Sequence, residues 1–459
     1  MSFPLALFER WFSDHESKIR EDFFSFLRFR SISADPSYRQ DCLKAAHWLR
    51  SYLEELQLQS ESWESPGLPV VFGESKGQKG KPSLLFYHHY DVQPADPIHL
   101  WESDPFEPVF KEGKVVARGA SDNKGQCFIT LTALKAIQEL IGPLPLDIKL
   151  FIEGEEESGG EGTGAVLHRQ KQRLQSDFLC VVDFDLVSSE KPALVAGYRG
   201  IMTMQVDCTN AKGDLHSGSH GGIVLNPNRI LVDLLAKLWD AEGKVAIPHF
   251  YDGVLPLTPE QKELVDFSFD EKVYQTEFGV KAFCKEEGST LKEANWIRPT
   301  VELNGLWGGY TGEGFKTVIP SKASAKISCR LVPGQDPRQI FERLSTFLQQ
   351  KAPEGICLAM HYFHGAQAYR ASFPTTLSQT LAQSMEEIFK QPCLYTFCGG
   401  SVPIVRELAE ATKGEVALFG FALDTDNIHA PNEHFEWVCF KKGFLTICHF
   451  LWELAQKKP

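Results

Sequence analysis

Apolar positions recur at helical spacing over residues 4–30 and 39–57. Leu5, Phe8, Trp11 and Phe12 share one face of the first stretch, and Ala45, Trp48, Leu49 and Leu53 one face of the second. The pattern then shortens. Ser83-Leu-Leu-Phe-Tyr-His88, Phe178-Leu-Cys-Val-Val182 and Val416-Ala-Leu-Phe-Gly-Phe421 are brief apolar runs of the kind buried inside a sheet, and Leu146-Asp-Ile-Lys-Leu150 alternates as a strand does. Helical stretches separate them, one with Ile129, Leu131, Leu134, Ile137 and Leu140 as its apolar positions, and a closing one from about Trp437 to Leu454. Strands alternating with helices predict an α/β fold with a mostly parallel sheet. Residues 196–366 read differently. Period-two strands at Ile201–Thr209 and Ala323–Val332, with helices over 226–239 and 336–350, predict an α+β domain with one sheet face covered. Gly73 to Gly80 reads as a polar turn.

The apolar runs end on polar side chains. The first delivers His89-Tyr-Asp91, the second ends on Asp183, and the third leads into a loop with Asp424, Asp426 and His429. The alternating strand runs out into Glu153, Glu155, Glu156 and Glu157, and Ala117-Arg-Gly-Ala-Ser-Asp122-Asn-Lys-Gly125 forms a small-residue turn. Ligands of open α/β sheets bind beyond the carboxyl ends of strands, so His89, Glu156, Glu157, Asp183 and His429 are expected to form one site. Adjacent carboxylates repel unless solvated or neutralised by cations. Two imidazoles with several carboxylates suit zinc, with manganese or cobalt as close competitors. A pair of metals needs a shared ligand, and Asp122 is the natural bridge because its loop lies between the His and Glu stretches. The first metal would then take His89, Asp122 and Asp183, and the second Asp122, Glu157 and His429. Two ions ~3.5–4 Å apart share a water and lower its pKa, generating a bridging hydroxide. Glu156, beside a ligand, takes the water's proton as general base and passes it to a leaving amine. Asp91 orients His89. His88 rivals His89, and the His-x-Asp pair favours His89; Asp185 is a local variation or a decoy for Asp183. No Gly-x-Ser-x-Gly elbow occurs, and no Cys has an obvious His partner.

Ligands on both sides of residues 196–366 make that stretch an insertion. The chain is therefore expected to divide into 1–195, 196–366 and 367–459, the outer two forming one catalytic domain. With 459 residues it exceeds a single compact core. A formal charge of −13 excludes nucleic acid and anionic membrane as the main partner. Eleven scattered cysteines without a Cys-x-x-Cys pair point to reduced thiols. The N-terminal stretch reaches charge too early for a signal peptide, and no apolar run approaches the ~20 residues that span a bilayer. These features together predict a cytoplasmic protein.

Five motifs carry a resemblance: Tyr87-His-His-Tyr-Asp-Val-Gln-Pro94, Arg118-Gly-Ala-Ser-Asp-Asn-Lys-Gly125, Glu153-Gly-Glu-Glu-Glu-Ser-Gly159, Val182-Asp183 and Ile428-His-Ala-Pro-Asn-Glu433. From about residue 15 onward the chain resembles the metallopeptidase family that includes cytosolic nonspecific dipeptidase, carnosinase, aminoacylase-1, succinyl-diaminopimelate desuccinylase and glutamate carboxypeptidase. The resemblance implies the same metal assignment, with Glu156 as base and Asp91 beside it. The dipeptidase branch fits best. Asp214-Leu-His-Ser-Gly218 with Gly221-Gly222 resembles its lid motif, Lys316-Thr-Val-Ile-Pro320 and Cys329-Arg-Leu-Val-Pro333 also match, and Gly399-Gly-Ser-Val-Pro403 resembles its substrate loop. This places His216, Thr317, Arg330 and Ser401 around the substrate. Arg330 suits a bidentate grip on a carboxylate, and His216 donation to an oxyanion. The family also implies a homodimer through the inserted lid, with His216 reaching the neighbouring subunit's site. Phe397-Cys398 stands where relatives often carry Arg-Glu. Without that carboxylate, recognition of a free substrate amine weakens, which keeps an N-acyl amino acid in play beside a dipeptide. The expected activity is metal-dependent hydrolysis of the amide bond of dipeptides or similar small peptides. The alternatives are an N-acyl-amino-acid deacylase and, further off, a metal-binding protein without catalysis, which would need no base at Glu156.

Overall fold

The computed structural model describes residues 3–77, 80–284, 286, 288–400, 402 and 404–457. The chain forms two compact units, one made of Met1–Ala196, Ala371–Thr396 and Val402–Pro459, the other of Gly197–Arg370 and Phe397–Ser401.

The first unit is built on a mixed sheet. Its strands run in the order Gln59–Trp63, Val70–Ser75, Asp147–Glu153, Ser83–His89, Phe178–Val182, Glu415–Phe419 and the start of Ala193–Tyr198. The four in the middle are mutually parallel. The apolar runs predicted from sequence occupy these positions because a strand covered on both faces must be apolar throughout. The outer pairings are antiparallel. Gly73, Glu74 and Ser75 are not a turn but the end of a strand, paired with Leu150, Lys149 and Ile148. Their polarity suits a sheet margin, where half-exposed side chains need no apolar character.

Lys124–Leu140 is buried over most of its circumference, including Phe128, Ile129, Leu131 and Leu134, and packs on Leu5–Leu27 and Trp437–Leu454. A helix apolar on all sides is one covered on all sides. The first helices bury Phe8, Trp11 and Phe12, and Ala45, Leu49 and Leu53.

The second unit holds a four-stranded antiparallel sheet in the order Thr300–Gly308, Lys322–Leu331, Gly200–Thr209, Cys357–Ala366. Met202, Met204, Val206 and Cys208 face a core completed by Leu231, Leu235, Ile340, Leu344 and Leu348 of the helices Pro227–Leu235 and Pro337–Lys351. Both helices begin with a proline behind a side-chain cap, Asn226 and Asp336. Among the described residues no helix is long and apolar enough to cross a membrane.

Candidate active site

The parallel strands end where the sequence places its chemistry. His89 closes Ser83–His89 and is fully buried. Its Nδ1 lies 3.1 Å from the main-chain oxygen of Asp91 and 3.4 Å from Asp91 Oδ1. That contact orients the ring and turns Nε2 toward Asp122 Oδ1 at 3.0 Å and Asp183 Oδ1 at 3.6 Å. The second oxygen of Asp122 lies 2.9 Å from His429 Nε2, which is also 3.2 Å from Glu157 Oε1. One carboxylate therefore joins two clusters: His89, Asp122 and Asp183, and Asp122, Glu157 and His429. Within each, the ligand-capable atoms fall within 4.8 Å of one another.

The acidic stretch is a compact turn rather than an open loop. Glu156–Ser158 makes a single 3₁₀ turn, followed by Gly159 and Gly160 at φ of 99° and 65°. Gly154 has no room for a side chain, since a Cβ there would lie 2.2 Å from the Tyr90 ring. The turn sends its acids apart. Glu153 points into the core and accepts from Tyr87 Oη at 2.6 Å, while Glu157 reaches His429. Asp91 fastens the turn from below. Its Oδ1 accepts from Glu156 N–H at 3.2 Å and its Oδ2 from Glu157 N–H at 3.0 Å and Ser33 Oγ at 2.6 Å. It thus holds the Glu156–Glu157 backbone as well as the His89 ring.

Burial pushes the Glu156 carboxyl well above the usual carboxylate range, and the charges of Asp183, Glu157 and Asp122 add to this against His89. Glu157 is raised to about 7, mainly by burial and then by Asp122. Burial also raises Asp183. Asp122 is held low despite its burial, by hydrogen bonds from His429 and His89. His429 is lifted to about 10 by its bonds to Asp122 and Glu157. Such a field favours cations, and bound ions would return these acids to their ionised forms.

Several supporting groups were not singled out from sequence. Asn123 donates to Asp183 Oδ1 at 2.6 Å and to the Val182 carbonyl at 2.8 Å. Gln93 donates to Glu157 Oε2 at 2.7 Å. Asn123 and Gln93 sit inside the quoted motifs, whereas Ser33 carried no signal. His88 is turned away from the cluster, with Nδ1 3.2 Å from Asn123 Oδ1, and burial lowers its pKa to about 3.

The remaining candidates lie in the second unit. His216 ends the two-residue strand Leu215–His216, and its Nδ1 accepts from Gly218 N–H at 3.0 Å and Ser219 N–H at 3.3 Å, which puts the ring hydrogen on Nε2. Thr317 is its neighbour, accepting from Ser217 N–H and Oγ–H at 3.0 Å each. Arg330 lies on Lys322–Leu331, opposite Ile201 and Thr300, and is half-buried. Ser401 lies outside the described residues. Cys398 Sγ accepts from Gly400 N–H at 3.3 Å.

The family model described as peptidase family M20/M25/M40 matches residues 85–453. The chain belongs to this family. This M20/M25/M40 peptidase is 30% identical to the Beta-Ala-His dipeptidase of Rattus norvegicus over 85% of its own length and 81% of that protein's. It is 28% identical to the Cys-Gly metallodipeptidase of Schizosaccharomyces pombe over 94% of both. Its structure is similar to that of an M20 family metallo-carboxypeptidase from Sulfolobus solfataricus, with a TM-score of 0.83, 30% identity, and coverage of 95% of this chain and 99% of that one. The peptidase is a metal-dependent enzyme, and its fold is the mixed α/β catalytic fold with an added lid. The donors fit divalent cations. Imidazole lone pairs and carboxylate oxygens converge on two positions that share Asp122, a set suited to zinc, manganese or cobalt.

Proposed function

We propose that this metallopeptidase is a dinuclear dipeptidase in which His89, Asp122 and Asp183 hold one ion, and Asp122, Glu157 and His429 the other. The observation that carries this reading is the single carboxylate facing both imidazoles, 3.0 Å from His89 and 2.9 Å from His429. When bound, two divalent ions supply Lewis-acid polarisation of the amide carbonyl and acidification of water. Glu156 is the general base. It takes a proton from the attacking water and delivers it to the departing amine, a role that suits a carboxyl whose proton affinity is raised by burial. Asp91 positions both Glu156 and the His89 ring. Following the family resemblance, Arg330 holds the substrate carboxylate, His216 donates Nε2–H to the developing oxyanion, and Thr317 and Ser401 line the substrate.

Zinc is the first choice of metal, with manganese or cobalt close behind. The eleven cysteines, none in a disulfide, support a reducing, cytoplasmic setting. We further infer a homodimer formed through the inserted lid, with His216 of each chain serving the other's site. A second reading, N-acyl-amino-acid deacylase, is favoured by Cys398, a thiol where a carboxylate would hold a free amine. The deciding experiment compares kcat/KM of the metal-reconstituted protein for dipeptides and for N-acyl amino acids. Dipeptides are expected to lead by at least about tenfold. The opposite order would transfer the assignment to the deacylase, and turnover undiminished after complete metal removal would end both readings.

A further inference from the structure

Glu433 lies four residues after His429 and is 1% exposed. Its carboxylate is surrounded by donors from one loop. Oε2 accepts from Arg118 Nη1 at 2.6 Å and Gly119 N–H at 3.0 Å. Oε1 accepts from Ser121 N–H at 3.0 Å and Asp122 N–H at 3.1 Å. The two segments are tied twice more, by Ala117 N–H to the Glu433 carbonyl at 3.0 Å and by Ser121 Oγ to Asp426 Oδ2 at 2.8 Å. The loop that carries Asp122 is thus wrapped around a side chain belonging to the loop that carries His429.

We propose that Glu433 is the positioning residue of the metal centre, the group that sets where Asp122 stands relative to His429. This rests on the dinuclear reading above. The cradle needs an acceptor on both sides. Three main-chain N–H groups and a guanidinium, all donors, fill the lone-pair directions of the two oxygens, and an amide in place of the carboxylate sets an NH₂ against donors on one side. On its N-terminal side Asp122 is held by this cradle, its own N–H being one of the four donors, while its side-chain oxygens are turned to the two imidazoles. Loosening the cradle therefore moves the shared ligand of both ions.

The test is a Co²⁺ titration of metal-free protein, read by calorimetry and by the visible absorption of the bound ion. The variants are Glu433→Gln and the paired Arg118→Met/Glu433→Gln. The pair removes both members of the buried ion pair, so no charge is stranded and the fold is spared the main cost of the single change. Thermal melts of the metal-free proteins separate stability from positioning. In both variants, Co²⁺ affinity is expected to fall about 10- to 100-fold, the usual effect of losing an outer partner of a ligand, with an altered absorption band. The paired variant is expected to recover melting temperature but not affinity. A folded variant, single or paired, that binds Co²⁺ within about threefold of the parent and with the parent's spectrum overturns the proposal. So does a paired variant in which affinity returns together with stability, because a purely structural role would restore both. Failure of the parent itself to bind two Co²⁺ would instead refute the dinuclear reading.

Discussion

Replacing Asp91 with Asn tests whether the turn carrying the base is held by a carboxylate. The change is nearly isosteric, and the site is fully buried, so bulk water does not stand in for the lost acceptor. In the parent, both oxygens are used, one by Glu156 N–H and the other by Glu157 N–H and Ser33 Oγ. The amide keeps one acceptor. Its NH₂ can be oriented toward Ser33, whose hydroxyl can accept as well as donate, but then it also faces Glu157 N–H. One main-chain donor is stranded in either orientation, at a cost of about 1–3 kcal/mol. The His89 ring is less affected, because the Asp91 main-chain oxygen remains 3.1 Å from Nδ1. The expected result is a urea midpoint lowered by an amount consistent with that cost, metal content unchanged, and kcat reduced about 10- to 100-fold with KM nearly constant. Single-turnover kinetics at saturating metal, with elemental analysis of the same samples, would measure this. Parent-like kcat in Asp91→Asn would refute the placement argument. Loss of an ion would mean that Asp91 acts through the His89 ligand instead.

Three further outcomes are expected. Glu156→Gln abolishes turnover while leaving both ions bound, whereas Glu157→Gln weakens one ion; exchange of these phenotypes, read by elemental analysis and kcat, would reverse the two roles. Arg330→Ala lowers kcat/KM for a dipeptide at least about tenfold more than for its C-terminal amide, and equal losses would remove the carboxylate grip. Asp207 is held at about 2 against its burial by bonds from Ser324, Lys322 and Gln205, below its ordinary 3.8. Its stabilisation is therefore present above pH ~4 and lost as pH falls toward ~2, so the stability gap between the parent and Asp207→Asn, at most about 2 kcal/mol after allowance for solvent screening, should close over that window. A gap independent of pH between 5 and 2 would contradict the assignment.

The parallel strands and the groups at their ends were legible because one physical rule governs both. A strand covered on two faces must be apolar, so the first polar side chain after it marks the sheet's edge, as at His89 and Asp183. The antiparallel margin was not legible, since Gln59-Ser-Glu-Ser62 and Glu74-Ser75 are exposed or half-solvated and carry no apolar signature. The two candidate metal-binding clusters were legible from residue type and order along the chain. Asp91 beside His89 was legible too, from the His-x-Asp pair, but the bonds that hold Asp91 and Asp122 in place were not. Ser33 meets Asp91 across 58 positions, and Glu433 meets Asp122 across 311, with no periodicity to connect them. Single hydrogen bonds between distant loops leave no pattern in either sequence.

The two kinds of support follow one electrostatic logic. Asp91 and Glu433 are acids wholly withdrawn from solvent, and the oxygens of each are met by protein donors: main-chain N–H groups, the hydroxyl of Ser33, or the Arg118 guanidinium. Asp122, Asp183 and Glu157 point the other way, toward one another and toward two imidazoles. Two unit charges ~4 Å apart repel by about 4 kcal/mol at the effective dielectric of a partly buried site. The outer acids avoid that cost through their hydrogen bonds. Beside the bonds from Asn123 to Asp183, from Gln93 to Glu157 and from the imidazoles to Asp122, the inner three keep oxygens turned toward one another, and shared cations would offset that repulsion. The outer acids thereby fix the backbone from which the inner acids project, through Asp91 for the Glu156–Glu157 turn and Glu433 for the Asp122 loop. Rigidity is thus supplied where no ion binds, and negative charge is concentrated where ions would. This division explains how one sheet edge carries so many acids without unravelling, and why Glu156, the proposed base, stands at the boundary between the two sets, its main chain fixed by Asp91 and its carboxyl raised by burial and by the inner charges.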